Sequence, residues 1–463
     1  MFPKWAGRCE TCGAWNTLEE QIAPSALPGG IRNNALKSGV KIEFVGLEGV
    51  SPPPPRTPST ISEFDRVLGG GLVPASVVLV GGDPGIGKST LLLQVSAALG
   101  RSGREVVYIS GEESVDQIRM RAQRLGLTDA PLHLAAATQL GDILTSLPHF
   151  PNAALVVIDS IQTMWTDSVD SAPGSVTQVR AAAFELIRAA KTQGFALLLV
   201  GHVTKEGALA GPRVLEHMVD VVLHFEGDRG HQFRILRGIK NRFGATDEIG
   251  VFEMTGQGLS EVANPSALFL AERRGNVAGS AVLAGLEGSR PVLVEIQCLL
   301  APNPGGSPRR SVIGWDSGRL SMLLAVLETR CGLKLAMNDV YLNVAGGLRV
   351  NEPAADLAVA AALISAASDI PTDPSMAFFG EIGLSGELRQ VAQAELRLKE
   401  AAKLGFSKAT GPKRVAGGGG RLNIPSTLTM MEVGHLTDLL GLITTGQKPA
   451  TKQNKARNLH DLG

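Results

Sequence analysis

The stretch GDPGIGKST fits the pattern G-x-x-x-x-G-K-[ST] through Gly82, Gly87, Lys88 and Ser89, with Asp83, Pro84, Gly85 and Ile86 between the two glycines. Such glycines let the backbone turn so that successive N–H groups point inward at phosphate oxygens, and a helix beginning there aims its positive end at the same place. Lys88 then neutralises the β- and γ-phosphates, the Ser89 hydroxyl holds Mg2+, and Thr90 supports the first helical turn. ALVVIDSIQTM ends an apolar run in Asp159, and a carboxylate at the carboxyl end of a strand is placed to hold that magnesium's second shell. Hydrolysis also needs a group that orients or deprotonates water. YISGEES offers Glu112 and Glu113 at another strand end; one of them is the expected catalytic carboxylate, the alternative being that both cap the following helix. Binding of ATP with Mg2+, and its hydrolysis, is the chemistry these residues imply.

Such residues need a sheet to carry them. From Thr60 to about Asn264 short apolar β-rich runs (SVVLVGG, EVVYIS, ALVVID, FALLLVG) alternate with helical patterns such as STLLLQVSAALG. This alternation predicts an α/β fold with a mostly parallel sheet covered on both faces. Beyond residue 265 strands are predicted in SALFLAE, AVLAGLE, VLVEIQCLL, VYLNVAG and AFFGEI, with helices in SMLLAVLETR, AADLAVAAALISAA and AELRLKEAAKLG, as in a second α/β domain. The four consecutive prolines after Ser51 suit a stiff linker. The expected order is therefore a small Cys- and Trp-containing unit at 1–20, a Pro-rich linker at 21–59, the nucleotide domain at 60–264, the second domain at 265–445 and a disordered tail at 446–463.

Lysine plus arginine and aspartate plus glutamate number 44 each, so contact with nucleic acid has to come from a local basic patch. The four cysteines, Cys9, Cys12, Cys298 and Cys331, do not form the framework of a secreted disulfide protein, and no window reaches the ~18 apolar residues of a membrane span. A soluble cytoplasmic protein with no membrane partner is expected.

GGDPGIGKST, YISGEES, VVIDSIQTM, LVGHVTKEG and the string KNRFG (Lys240, Asn241, Arg242, Phe243, Gly244) together resemble the bacterial RadA/Sms family, from Lys4 to about residue 440. The resemblance implies a RecA-fold ATPase followed by a Lon-protease-like domain, acting as a hexameric ring on single-stranded or branched DNA in recombinational repair and branch migration, beside a RecA-type recombinase. Carried over by position, Glu112 becomes the catalytic glutamate and His202 the γ-phosphate sensor; taken alone, His202 reads as a satisfied structural histidine. Thr204 to Arg213 resembles a DNA-facing loop with Lys205 and Arg213 as phosphate contacts, and Ser171 to Arg180 a first such loop with Arg180 as its cation. Lys240 and Arg242 alternate along a strand and share a face, which suits reaching a neighbouring subunit's γ-phosphate.

Two departures from the family pattern stand out. KWAGRCETCGAWNTLEE resembles the second half of a four-cysteine zinc module, so Cys9 and Cys12 leave the Zn2+ ligand set incomplete; the chain is expected to start at an internal methionine or to carry a decayed module. In the Lon-like domain, overlay puts Ala354 where the nucleophilic serine belongs and Glu395 where the lysine belongs, with Lys399 and Lys403 close by, so the domain should be proteolytically silent. Its expected duties are ring assembly and DNA contact through Arg309, Arg310 and Arg319. A RecA-fold scaffold or signalling ATPase, and a Lon-type protease, are the rival readings.

Overall fold

The computed structural model describes residues 55–201, 214–227, 232–246, 248–271, 273–303, 305–414 and 422–445. Its first part runs α1 (Ser62–Leu68), β1 (Val77–Gly82), α2 (Lys88–Arg101), β2 (Glu105–Ser110), α3 (Val115–Arg124), β3 (His133–Ala136), α4 (Leu140–Ser146), β4 (Ala153–Asp159), α5 (Val176–Gln193), β5 (Ala196–Val200), α6 (Val214–Met218), β6 (Val221–Glu226), β7 (Phe233–Asn241), β8 (Ile249–Thr255) and β9 (Gly258–Glu261). Among the described residues these strands form one sheet in the order β3-β2-β4-β5-β1-β6-β7-β8-β9, parallel as far as β6 and antiparallel from β7 on.

Why the central strands read as unbroken apolar runs is clear from their packing. Val78, Val80, Tyr108 and Val157 join a core with α1 and α2, while the alternate residues Val77, Leu79, Val107 and Val156 join a second core with α4 and α5. Both faces are buried, so neither tolerates polar residues. The antiparallel extension is what the alternation of strands and helices could not show, because its strands follow one another without helices.

Next come α7 (Pro265–Phe269), β10 (Ser280–Glu287), β11 (Arg290–Pro302), β12 (Arg310–Ile313), α8 (Ser317–Cys331), β13 (Asn338–Val344), α9 (Asp356–Ser368), β14 (Met376–Phe378), β15 (Glu381–Ile382), β16 (Leu388–Arg389), α10 (Ala394–Lys403), β17 (Lys408–Pro412), β18 (Thr429–Val433) and α11 (Leu436–Thr445). Among the described residues a second sheet has the order β12-β13-β11-β10-β14-β17-β18. The run SALFLAE is not a strand but α7: Pro265 occupies its first turn and the Asn264 side chain accepts from Ala267 N, two helix-start signals that outweigh the apolar run. AFFGEI is split between β14 and β15.

Segments on either side of the linker boundary are held by charge. Arg56 donates to the carbonyls of Leu68 and Phe243, and Ser59 N donates to Asp65, so residues 56–59 pack on the nucleotide domain. At the β10–β11 turn Arg290 meets Glu63 of α1 at 2.5 Å, both side chains buried, while Arg237 of β7 binds Glu226 and Glu287. Removing one partner of a buried ion pair strands the other charge. Arg290→Ala is expected to lower stability by about 3–5 kcal/mol, read as a fall in the urea midpoint.

Candidate nucleotide site

Register brings the candidate residues together. Ser110, the last residue of β2, pairs with Asp159, the last of β4, and β1 ends at Gly82 two strands further along the same edge. The carboxyl ends of parallel strands are where such sheets bind ligands.

Gly82 has φ +151°, and a Cβ there would lie 2.3 Å from the Phe225 carbonyl of β6, so only glycine lets β1 turn into the loop at this point. Asp83, Pro84 and Gly85 are exposed, Ile86 is buried, and Gly87 is the N-cap of α2 with φ +116°. The side chains of Ser114, Gln139 and Ser175 cap α3, α4 and α5, whereas α2 has no side-chain cap and no acid in its first turn. Its first N–H groups are thus left to an anion, which fits a bound phosphate.

Lys88 is buried, its Nζ donating to Gly82 O at 2.7 Å and Asp83 O at 3.0 Å. Burial pulls this ammonium below its ordinary pKa, against the opposing pull of Asp159, Glu112 and Asp83. Ser89 and Thr90 are half-buried in the same turn. A buried cation, a hydroxyl and the nearby Asp159 carboxylate form a donor set that fits a magnesium nucleotide.

The two glutamates separate. Glu113 forms an ion pair with Arg121 of α3, whereas Glu112 accepts from Ser160 Oγ at 2.5 Å, beside Asp159. Capping by either is excluded, because Ser114 and Gln117 form a complete capping box at the start of α3. Gly111 permits this arrangement: a Cβ there would lie 2.0 Å from Thr163 Oγ1, in the turn after β4. Sequence reasoning did not find Arg234, a buried residue of β7 whose Nε donates to Ile86 O at 3.2 Å and supports the phosphate loop from behind. Nothing in its local pattern distinguishes it from an edge-strand arginine.

KNRFG lies elsewhere. Asn241 pairs with Val221, which is level with Val78, so the string sits at the amino-terminal edge of the sheet, roughly 13 Å along β1 from Gly82. Only Lys240 and Asn241 belong to β7; Arg242 lies past its end, which corrects the expectation that both cations alternate along one strand. Lys240 Nζ donates to the carbonyls of Glu216 and Val219 at 2.7 and 2.8 Å, and Arg242 pairs with Asp220 at 3.3 Å. Burial, then Arg242, draws the Lys240 pKa down. Asn241 links the carbonyls of Val67 and Leu68 to Phe243 N, Phe243 packs on the core, and Gly244 is exposed.

His202, Lys205 and Arg213 lie outside the described residues, as do Cys9 and Cys12. Arg180 is exposed, but it belongs to α5 and not to a loop running from Ser171: the loop ends at Ser175, whose side chain caps the helix. Gln178, not Arg180, shapes that loop, donating to the carbonyls of Thr166, Val169 and Ser171.

In the second domain Ala354 is buried immediately before α9. Glu395 turns away to accept from Asn423 N, while Arg397, two residues on, is buried and binds Glu352 at 2.6 Å, next to Ala354. On α10 the side chain paired with Glu352, two residues before Ala354, is Arg397 and not Glu395. Arg319 is not a free surface cation, since it forms a bidentate pair with buried Asp356 at 2.5 Å. Arg309 is exposed and Arg310 half-buried, with its guanidinium donating to the carbonyls of Arg309 and Asn338.

No group of His, Cys, Asp or Glu among the described residues could hold a metal ion by itself, and no helix among them is long and apolar enough to cross a membrane.

Three family models match: AAA domain over residues 56–208, subunit ChlI of Mg-chelatase over 321–414, and rubredoxin metal binding domain over 1–20, the stretch that holds Cys9 and Cys12. The DNA repair protein RadA of Brucella abortus (strain 2308) is 55% identical over 96% of this chain and 95% of its own length. That of Bacillus subtilis (strain 168) is 51% identical over 88% of this chain and 89% of its own, and that of Streptococcus pyogenes serotype M6 is 48% identical over 96% and 95%. The crystal structure of the RadB recombinase aligns with a TM-score of 0.36 at 21% identity, covering 44% of this chain and 98% of that one, too slight a likeness to build on. With 48–55% of its residues shared over 88–96% of its length with such relatives, the chain belongs to the RadA/Sms family, its RecA-like ATPase domain followed by a Lon-protease-like domain.

Proposed function

We propose that this chain is a DNA-dependent ATPase of DNA repair that drives branch migration in recombination intermediates. It works in the cytoplasm as a homo-oligomeric ring, a hexamer by resemblance, alongside a RecA-type recombinase. In this reading Lys88 and the first N–H groups of α2 would hold the phosphates, Ser89 and Asp159 would hold Mg2+, and Glu112 would take the proton of the attacking water. Bound magnesium supplies charge neutralisation for the leaving phosphates. His202 would report the γ-phosphate to the Thr204–Arg213 loop, where Lys205 and Arg213, with Arg180, meet DNA.

The observation that carries the motor reading is the placement of KNRFG. Its cations stand at the edge of the sheet opposite the chain's own phosphate loop, so the phosphates they could serve belong to another subunit. Lys240 also donates to the carbonyls of Glu216 and Val219 at the C-terminal end of α6, so a change at Lys240 acts directly on that helix. Ala354 supplies no nucleophile for the protease alternative.

Steady-state ATPase assays of the wild type and Lys240→Ala, with and without single-stranded DNA at low and high salt, test this reading. DNA should stimulate the wild type, the stimulation should shrink as salt rises through lost phosphate contacts, and Lys240→Ala should abolish it. A rate indifferent to DNA would overturn the motor and favour a scaffold ATPase.

A further inference from the structure

A tyrosine hydroxyl withdrawn from water needs a hydrogen-bond partner. Tyr108, fully buried in β2, donates its hydroxyl to Asp159 Oδ2 at 2.6 Å. Register explains the meeting: Tyr108 pairs with Val157, so Asp159 is its diagonal neighbour on the same face of the sheet. Asp159 is itself buried, and its carboxylate lies at the strand end beside Lys88 and Glu112. Fixing Oδ2 fixes the plane of the carboxylate and hence the direction of Oδ1.

We propose that Tyr108 is a positioning residue for the magnesium nucleotide: its hydroxyl holds Asp159 in the orientation from which Oδ1 faces the metal's water shell. This rests on the reading of Asp159 as the magnesium-side carboxylate. A hydroxyl-to-carboxylate bond is among the stronger kinds, so its loss has a sizeable effect without removing any group that touches phosphate. The rest of the ring serves packing alone, and a phenylalanine fills the same space.

Binding of a fluorescent ATP analogue, titrated with Mg2+, separates positioning from packing. Tyr108→Phe should bind the analogue in EDTA as the wild type does, but should need about tenfold more Mg2+ for half-maximal tightening, the size expected for one charge-assisted bond. An unchanged Mg2+ midpoint in Tyr108→Phe, with a raised one in Asp159→Asn, would overturn the role of Tyr108 alone. An unchanged midpoint in Asp159→Asn would overturn the reading of Asp159 beneath it. Should Tyr108→Phe fail to fold, a fluorotyrosine label in the Tyr341→Phe background, where Tyr108 is the remaining tyrosine of two, gives a second readout. Its 19F resonance should move when Mg2+ is added to the ATP-bound protein, and a stationary resonance sinks the proposal.

Discussion

Lys88→Met is expected to lower kcat for ATP hydrolysis by about 10³-fold, the scale found when one preorganised donor is removed from developing charge. The loss is large because nothing nearby replaces the ammonium. Asp159, Glu112 and Asp83 are the charges around it, so without Lys88 the α2 N–H groups would have to hold the phosphates against these carboxylates. The same substitution should leave the apo protein at least as stable as the wild type. Burial depresses the Lys88 pKa, so folding works against the charged form: the penalty is fully present below the folded pKa and disappears as pH rises through the unfolded value. At neutral pH an apolar side chain of similar length removes that penalty. Loss of activity together with a melting temperature equal to or above that of the wild type is the expected pair of results. A large fall in melting temperature would mean that Lys88 is structural.

Glu112→Gln should reduce kcat by about 10²- to 10⁴-fold, as for loss of a general base, with magnesium-nucleotide affinity retained. The amide oxygen can still accept from Ser160, so the site keeps its shape while losing the proposed general base. Glu113→Gln is the control. Its carboxylate faces Arg121 on α3, so its removal should affect stability more than chemistry. Single-turnover hydrolysis of bound ATP distinguishes the two, and a severe Glu113→Gln beside a mild Glu112→Gln would reverse the assignment.

Much of the nucleotide site was legible in the chain because its parts are local. Gly82 to Thr90 are contiguous, their spacing dictates the turn and the helix that follows, and the apolar runs before Gly82 and Asp159 could only be strands buried on both faces. The second domain was less legible where start signals compete with apolar runs, as at Asn264–Pro265, or where strands are short, as in β15–β18.

Only the tertiary structure gave Glu112 and Glu113 different surroundings, because neighbouring residues in a turn point to different partners, Ser160 just past β4 for one and Arg121 on α3 for the other. It likewise joined Tyr108 to Asp159, Arg234 to Ile86, Arg319 to Asp356 and Arg397 to Glu352. Each of these pairs spans tens of residues or more, and strand register and helix rotation decide which side chains meet. A charged residue's composition and local pattern are the same whether it faces solvent or a buried partner. Burial supplies the difference, through the cost of leaving a charge or hydroxyl unpaired away from water.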